Sequence, residues 1–318
     1  AALTFMPPLG TAHRKVAGRD ARLRGMALFL AIQAYEKKHG ALPERLDQLV
    51  PDYLPRVPED PFDGKPFRLE DHLARFGRSC KYARIDPPID QSEMATVCQR
   101  LIDHNLALEP PGTELAVVLF MSPGELSVYA GAAGGGGDQQ PTFCIHTFPL
   151  PFHLWRHYYE DGGHVVTPSV RQIPSVCIDP KIKCRSRMHW WLADQESHQV
   201  DPLAVSLCLD LNGNVTETGG SNFLIVNEGA IISPAAHHIL PGISIQTVRE
   251  LCADLEIEYL EHDFQVYDVI NADEAMLAST PYCLAPITRI NGVPIGSGQP
   301  GPVFARLMQA WSERVGLD

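Results

Sequence analysis

The segment between Val205 and Val226 restricts the fold more than any other part of the chain. Two short apolar stretches, residues 205–211 and 223–226, are separated by Asn212-Gly213-Asn214 and by the run Val215-Thr216-Glu217-Thr218-Gly219-Gly220-Ser221-Asn222. Apolar runs this short, bounded by Asn and Gly, cannot complete an amphipathic helix and are the usual signature of strands joined by tight turns. Glu228-Gly229 adds one more turn of the same kind. The second half of the chain is therefore expected to rest on a sheet, with Glu217 in a glycine-rich turn where an isolated glutamate ordinarily faces water.

Upstream lies a locally basic stretch, CIDPKIKCRSRMHWWLADQE, residues 177–196. Residues 176–182 read as a β-type run broken by Asp179-Pro180, and residues 188–196 as a helix with Met188, Trp191 and Leu192 at helical spacing. Lys183 falls at the junction. A lysine there can lay its stem on the element behind it and aim its amine into a cleft. Desolvation and the neighbouring Arg185 and Arg187 would both lower the amine's pKa, leaving it nucleophilic enough to form a Schiff base. On position alone, such a lysine is more often part of a solvated basic face.

The N-terminal part is of a different kind. Residues 1–18 show no periodicity and are expected to be loose. Residues 19–39 place Leu23, Met26, Ala27, Leu30, Ala31 and Ala34 on one helical face, and Gly40 is a natural stop. A second helix is expected over 43–50, followed by an extended path imposed by prolines at 51, 55, 58, 61 and 66. This portion, residues 20–66, resembles the soluble part of a type II secretion pseudopilin. Its plainer reading is an amphipathic helix covering the main domain. Beyond it, residues 67–76 suit a helix, and residues 90–106 form another with Met94, Val97, Leu101 and Ile102 inward and Asp90 or Ser92 as cap. Strands are expected at 114–121, 126–130 and 142–147, with a flexible Gly-rich loop at 131–138, which lacks the lysine and helix of a phosphate cradle.

A chain of 318 residues can hold two domains, and 45% hydrophobic with 20% charged residues describes an ordinary soluble globular protein. A net charge of −12 argues against nucleic acid or an anionic membrane as partner. The eight cysteines are scattered without a CxxC pair, so reduced thiols in a cytoplasm are expected, with no zinc cage and no assigned metal ligands. No apolar run reaches membrane-spanning length and no signal peptide is expected.

Taken in order, the Lys183 string, Val215 to Phe223, Ile239-Leu240-Pro241-Gly242-Ile243-Ser244, and Ala278-Ser279-Thr280-Pro281 leading into Ala285-Pro286-Ile287 form a recognisable succession. From about Phe67 to the C-terminus it resembles the class IV pyridoxal-phosphate aminotransferases, the family of branched-chain aminotransferases, D-amino acid aminotransferases and aminodeoxychorismate lyases. The resemblance implies an α+β, two-domain fold-type IV enzyme: an atypical helical segment (1–66), a small α/β domain (67–150) and a larger, mixed β-barrel-like cofactor domain (151–318). It implies pyridoxal 5′-phosphate held by Lys183 as a Schiff base, with Lys183 also the catalytic acid and base. Glu217 would face the cofactor's ring nitrogen, and Ser221 and Asn222 would donate nearby. Arg75, Gly242, Ile243, Ser244, Ser279 and Thr280 would hold the phosphate. The implied reaction is transamination of branched-chain amino acids with 2-oxoglutarate in a cytoplasmic homodimer, the alternatives being a D-amino acid aminotransferase or aminodeoxychorismate lyase. Departures from the pattern are specific. The β-hairpin with which family members usually begin has no match before Phe67, giving a third alternative, a recombined chain without full activity. AVVLFMSPGEL carries no arginine for a substrate carboxylate, which leaves Arg171, backbone amides or a partner subunit. Met188 stands where branched-chain enzymes have tyrosine, and Ile245 where an arginine is usual.

Overall fold

The computed structural model describes residues 35, 37–39, 46–50, 52, 68–110, 113–124 and 140–314. The chain divides into two compact units, Thr4–Arg68 with Gln309–Asp318, and Leu69–Met308. Of the first, Tyr35 and residues 37–39 are helical, and the helix expected over 43–50 is a short 3-10 helix, Leu46–Leu49. Most of the expected 19–39 helix and the proline-rich path lie outside the described residues, as do the strand at 126–130 and the loop at 131–138.

The second unit opens with α1 (Leu69–Ala83) and α2 (Gln91–Leu106). Glu70 and Asp71 occupy the first turn of α1 and Lys81 its last, the charge order that complements a helix dipole. Asp90 caps α2 by accepting from the Glu93 amide at 2.8 Å, as its position promised. The face of α2 that is buried carries Met94, Cys98 and Ile102, with Cys98 in place of the expected Val97. Next come β1 (Leu115–Ser122) and β2 (Thr142–Pro149), an antiparallel pair registered from Leu115↔Pro149 to Ser122↔Thr142, on which α2 packs.

The remaining elements are α3 (Arg156–Glu160), β3 (Gly163–Val166), α4 (Met188–Val200), β4 (Val205–Leu209), β5 (Val215–Thr218), β6 (Asn222–Asn227), β7 (Ala230–Ser233), α5 (Ile243–Asp254), β8 (Tyr259–Glu261), α6 (Val266–Ile270), β9 (Glu274–Ser279), β10 (Cys283–Ile290), β11 (Val293–Pro294) and α7 (Pro302–Arg314). Their strands form one mixed sheet. Six of them close a ring in the order β10-β3-β4-β5-β6-β9 and back to β10, with β3 parallel to both neighbours and the other pairs antiparallel. Closure removes the unpaired edges of those strands. Val165, Leu207, Val215, Phe223, Leu277, Ala285 and Ile287, one or two from each ring strand, are buried in a single core. Among the described residues no helix is long and apolar enough to cross a membrane.

The turns expected on either side of Glu217 are present and chemically explained. Asp210 Oδ1 accepts from the amides of Asn212 and Asn214 at 2.8 Å each, and Gly213 takes the left-handed conformation (φ +87°) that the turn between β4 and β5 demands. One expectation fails nearby. Residues 176–182 are successive turns with no strand partner: Cys177 donates to Pro174 O and Ile182 to Asp179 O. Pro174 and Pro180 supply no amide donor, and Asp179 takes the Lys181 amide at 3.0 Å, so local bonds displace a ladder. The helix expected from Met188, Trp191 and Leu192 is α4; those three residues are exposed, while Trp190, Ala193 and Ser197 are buried. The sheet face beneath the helix, and not the apolar spacing, selects what is covered.

Candidate active site

Lys183 ends the turn-rich segment and is held from α1. Its amide donates to Ser79 Oγ at 3.2 Å, Ser79 Oγ donates to Arg75 O at 3.1 Å, and the Asp179 amide is 3.4 Å from Tyr82 Oη. The residue as a whole is reached by water, yet protein surrounds its side chain. That combination describes a group standing in a cleft. Loss of hydration first, then the cations of Arg75 and Arg187, lower the amine to about 8, with Glu217 opposing them.

Glu217, on β5, is buried, contrary to what a glutamate beside two glycines suggests. Its Oε2 accepts from the Leu240 amide at 3.0 Å and from Asn222 Nδ2 at 3.2 Å, and Gln172 Nε2 is 3.5 Å from Oε1. Burial still dominates and raises the carboxyl to about 7, against the opposing pull of the Leu240 hydrogen bond, Lys183 and Arg187.

Asn222 ties this carboxylate to the next segment. Its Nδ2 also donates to Leu240 O at 2.9 Å, and a Cβ on Gly242 would come within 2.3 Å of its Oδ1. Glycine at 242 is therefore a packing requirement. Gly242 is the N-cap of α5 and has no side chain to satisfy the helix's first amides, so Ile243 and Ser244, both buried, begin a helix with open donors. Arg75 reaches the same place from α1: it is buried, and its Nη1 donates to Pro241 O at 3.3 Å. Burial, with Arg78 adding to it, lowers this guanidinium to about 10. Two stretches of sequence 166 residues apart thus meet at the Leu240-Pro241-Gly242 turn.

Other expected residues sit beside this group with their hydroxyls engaged. Ser221 Oγ makes a very short contact with Tyr282 Oη. Ser279 Oγ donates to Gly220 O at 2.8 Å, which pins the Gly219-Gly220 turn to the end of β9, and Thr280 is exposed. Arg171 is turned away: its Nη1 donates to Pro168 O (2.7 Å) and Ser169 O (3.1 Å), so it closes its own loop. Met188 is exposed.

Three residues that sequence reasoning did not assign lie in the site. Gln172 follows Arg171 at a strand-like bridge to Leu209, so side-chain alternation sends the arginine outward and the glutamine inward. Its Oε1 is buried without a partner beside Glu217. Arg187 was read only as a charge near Lys183, yet it also acts on Glu217, and its Nη2 would lie 3.4 Å from a Cβ on Gly219. Among the described residues its guanidinium has no hydrogen-bond partner. With Trp190, Trp191, Asp194, Val205, Gly219 and Gly220 it lines a cavity of about 260 Å³. Tyr282, buried with its hydroxyl pushed up to about 12 by burial, closes the far side of Ser221. Only Arg187 carried a usable signal, one helical turn beyond the lysine.

An amine of lowered pKa, a buried carboxylate with an unpartnered amide oxygen at its side, a buried guanidinium and an uncapped helix start suit an aldehyde cofactor with a ring nitrogen and a phosphate. Joined to a closed mixed barrel, these groups define a pyridoxal-phosphate enzyme of fold type IV. Residues 61–290 match the family model for class IV aminotransferases. A putative branched-chain-amino-acid aminotransferase of Methanocaldococcus jannaschii is 28% identical over 254 residues, covering 79% of this chain and 83% of that protein. A D-alanine aminotransferase of Bacillus licheniformis is 26% identical over 255 residues, covering 80% and 84%. The crystal structure of the Escherichia coli branched-chain amino acid aminotransferase superposes with a TM-score of 0.68 at 24% identity, covering 77% of this chain and 78% of that one. The chain belongs to the class IV aminotransferase family and is a pyridoxal-phosphate-dependent transaminase.

Proposed function

We propose that this enzyme moves the amino group of a branched-chain L-amino acid to 2-oxoglutarate, with Lys183 as the catalytic residue. The observation that supports the reading is that Arg75, Arg187 and Glu217 all act on the charge of the Lys183 amine, while Glu217 is buried on β5 and Arg75 is buried and bonded to Pro241 O. Lys183 would hold the cofactor covalently through Nζ, and Glu217 would face its ring nitrogen. Arg75, with the amides of Ile243 and Ser244 and the turn at Ser279-Thr280, would hold its phosphate. When bound, the cofactor supplies an electron sink for charge developing at the substrate α-carbon.

The protein's own share follows from the geometry. An amine near 8 is partly neutral at pH 7, so Lys183 Nζ can accept the α-proton as general base and, as an ammonium, give it up again as general acid within the same half-reaction. Asn222, Leu240 and Gln172 fix the carboxylate of Glu217, and a cation placed against it would favour its charged form. Arg187, open toward the cavity, can meet an anionic oxygen of the bound pair. The exposed apolar face of α4, with Met188, Trp191 and Leu192 at 67%, 61% and 49% accessibility, suits a homodimer interface. Eight free cysteines suit a reducing cytoplasm.

The names of the relatives favour branched-chain substrates, and the D-alanine aminotransferase of similar identity keeps a D-amino acid as second reading. Adding L-leucine, D-alanine or aminodeoxychorismate singly to the cofactor-loaded enzyme decides between them. Loss of the cofactor's visible band with L-leucine, and its return with 2-oxoglutarate, is expected. Bleaching by D-alanine alone would overturn the substrate assignment, release of pyruvate from aminodeoxychorismate without lasting bleaching would indicate the lyase, and neither bleaching nor pyruvate with any of the three would indicate a chain without full activity.

A further inference from the structure

A cluster of metal-ligating side chains lies outside the site just described, at the far ends of β7 and β8. These strands run parallel, and their pairing continues one residue past β8, where the His262 amide donates to Ser233 O at 3.2 Å. The two chains leaving the sheet are thus carried side by side. One makes a turn closed by the His238 amide on Ala235 O at 2.9 Å, and the consecutive imidazoles of His237 and His238 lie against each other there, centroids 3.9 Å apart. The other brings in Asp263.

His237, His238 and Asp263 each offer one ligand atom, and those atoms lie within 4.8 Å of one another. His238 Nε2 is 3.5 Å from Asp263 Oδ1 and 3.6 Å from Asp210 Oδ2, too far for good hydrogen bonds. A tetrahedron around an ion bonded at roughly 2.1 Å has edges of about 3.4 Å, so these separations are near those of a coordination shell. The cluster is also graded in exposure. The His238 side chain is 17% accessible and Asp210 11%, while Asp263 is 45% accessible and His237 is exposed, so one side is fixed and the other is open to an arriving ion. Asp210 is itself held in place by Asn212 and Asn214.

We propose that His237, His238 and Asp263 bind one divalent transition-metal ion of the zinc type, with Asp210 as a second carboxylate behind His238 and water in the remaining position. Two imidazoles and a single carboxylate favour such an ion over magnesium or calcium, which prefer all-oxygen shells. The site is structural and does not take part in amino transfer. Its consequence for the enzyme comes through the chain: His238 lies two residues before Leu240, whose amide bonds Glu217 and whose carbonyl holds Asn222. A bound ion ties the turn that leads into the Leu240-Pro241-Gly242 segment.

The test is a titration of the metal-free, cofactor-loaded enzyme with Co²⁺, followed by displacement with Zn²⁺. One equivalent with a tetrahedral d–d spectrum and no thiolate charge-transfer band is expected. His237→Ala and His238→Ala should each weaken binding by at least roughly 10-fold, the lower bound for disturbing a metal's supporting groups. Cys177→Ser and Cys184→Ser should leave it unchanged. His237 is exposed, so its variant keeps the fold, and the cofactor's absorption band serves as the check. An octahedral or thiolate-bearing spectrum, unaltered affinity in His237→Ala, or equal stabilisation of the enzyme by Mg²⁺ would each overturn the proposal.

Discussion

Lys183 and Glu217 each act on the other's charge, yet the chain holds them in opposite ways. Glu217 belongs to β5, inside a closed ring of strands, and is fixed by the Leu240 amide, Asn222 and Gln172. Lys183 follows a series of turns with no strand partner, and its backbone is tied to α1 through Ser79. The carboxylate is set by the barrel, and the amine, for which we propose cofactor binding and proton transfer, hangs on a tether. A rigid carboxylate costs nothing to reorganise during reaction. In its proposed role, leaving a cofactor and returning, Lys183 would benefit from a segment free of sheet constraints.

This contrast can be broken or sharpened by experiment. The largest effect belongs to the tethered half: Lys183→Ala should lower turnover by on the order of 10²–10⁴-fold or more, measured by single-turnover kinetics, while the unfolding temperature of the cofactor-free protein hardly changes. Retained turnover would remove Lys183 from its role.

In the barrel half, Glu217→Gln should slow turnover on the order of 10²-fold with the cofactor still bound. It should also change the pH dependence of stability. Burial raises the carboxyl to about 7, so the folded cofactor-free protein holds that proton where the unfolded chain has lost it. Its contribution is complete below the unfolded value near 4.3 and is lost as pH rises through about 7. The unfolding temperature of wild type relative to Glu217→Gln should therefore fall across that window; a flat difference would mean that burial does not set this group's charge.

A smaller effect concerns the amine itself. Capture of pyridoxal phosphate by the cofactor-free protein should accelerate with pH through about 8, because the neutral amine reacts, and level off well below the usual lysine range. A rise that continues toward 10.5 would show a fully hydrated Lys183. The smallest expected change is that of Ser79→Ala, which removes the exposed bond from the Lys183 amide and the partly buried one to Arg75 O, each worth about 1 kcal/mol at most. It should speed cofactor release, followed by absorbance in a competing-amine chase, with the barrel's stability nearly intact. If it unfolded the protein, the tether would be a structural pillar and the contrast would not hold.

Much of the barrel half was legible from residues alone. Asn212-Gly213-Asn214 and Glu228-Gly229 are turns, Gly242 starts a helix, and Asp90 caps one, because such outcomes depend on hydrogen bonds within a few positions. The tethered half was misread. Residues 176–182 look β-like by composition, but Pro174, Pro180 and Asp179 satisfy or remove the donors a ladder needs. Met188, Trp191 and Leu192 have helical spacing, and the helix exists; only the neighbouring sheet could decide that Trp190 and Ala193 turn inward. Gln172 gave no sign of its place beside Glu217.

By itself the sequence determined the turns around β5, several of the helices, which residue types could hold an aldehyde cofactor, and their order along the chain. It did not determine that Arg75 and Glu217 would be buried, that six strands would close on themselves, or that Arg187 would line a cavity with Trp190 and Gly219. Turn chemistry and periodicity act over a few residues, whereas desolvation of a charge depends on every segment packed around it. Here those segments are as far apart as Arg75 and Pro241, and only the closed tertiary structure brings them together.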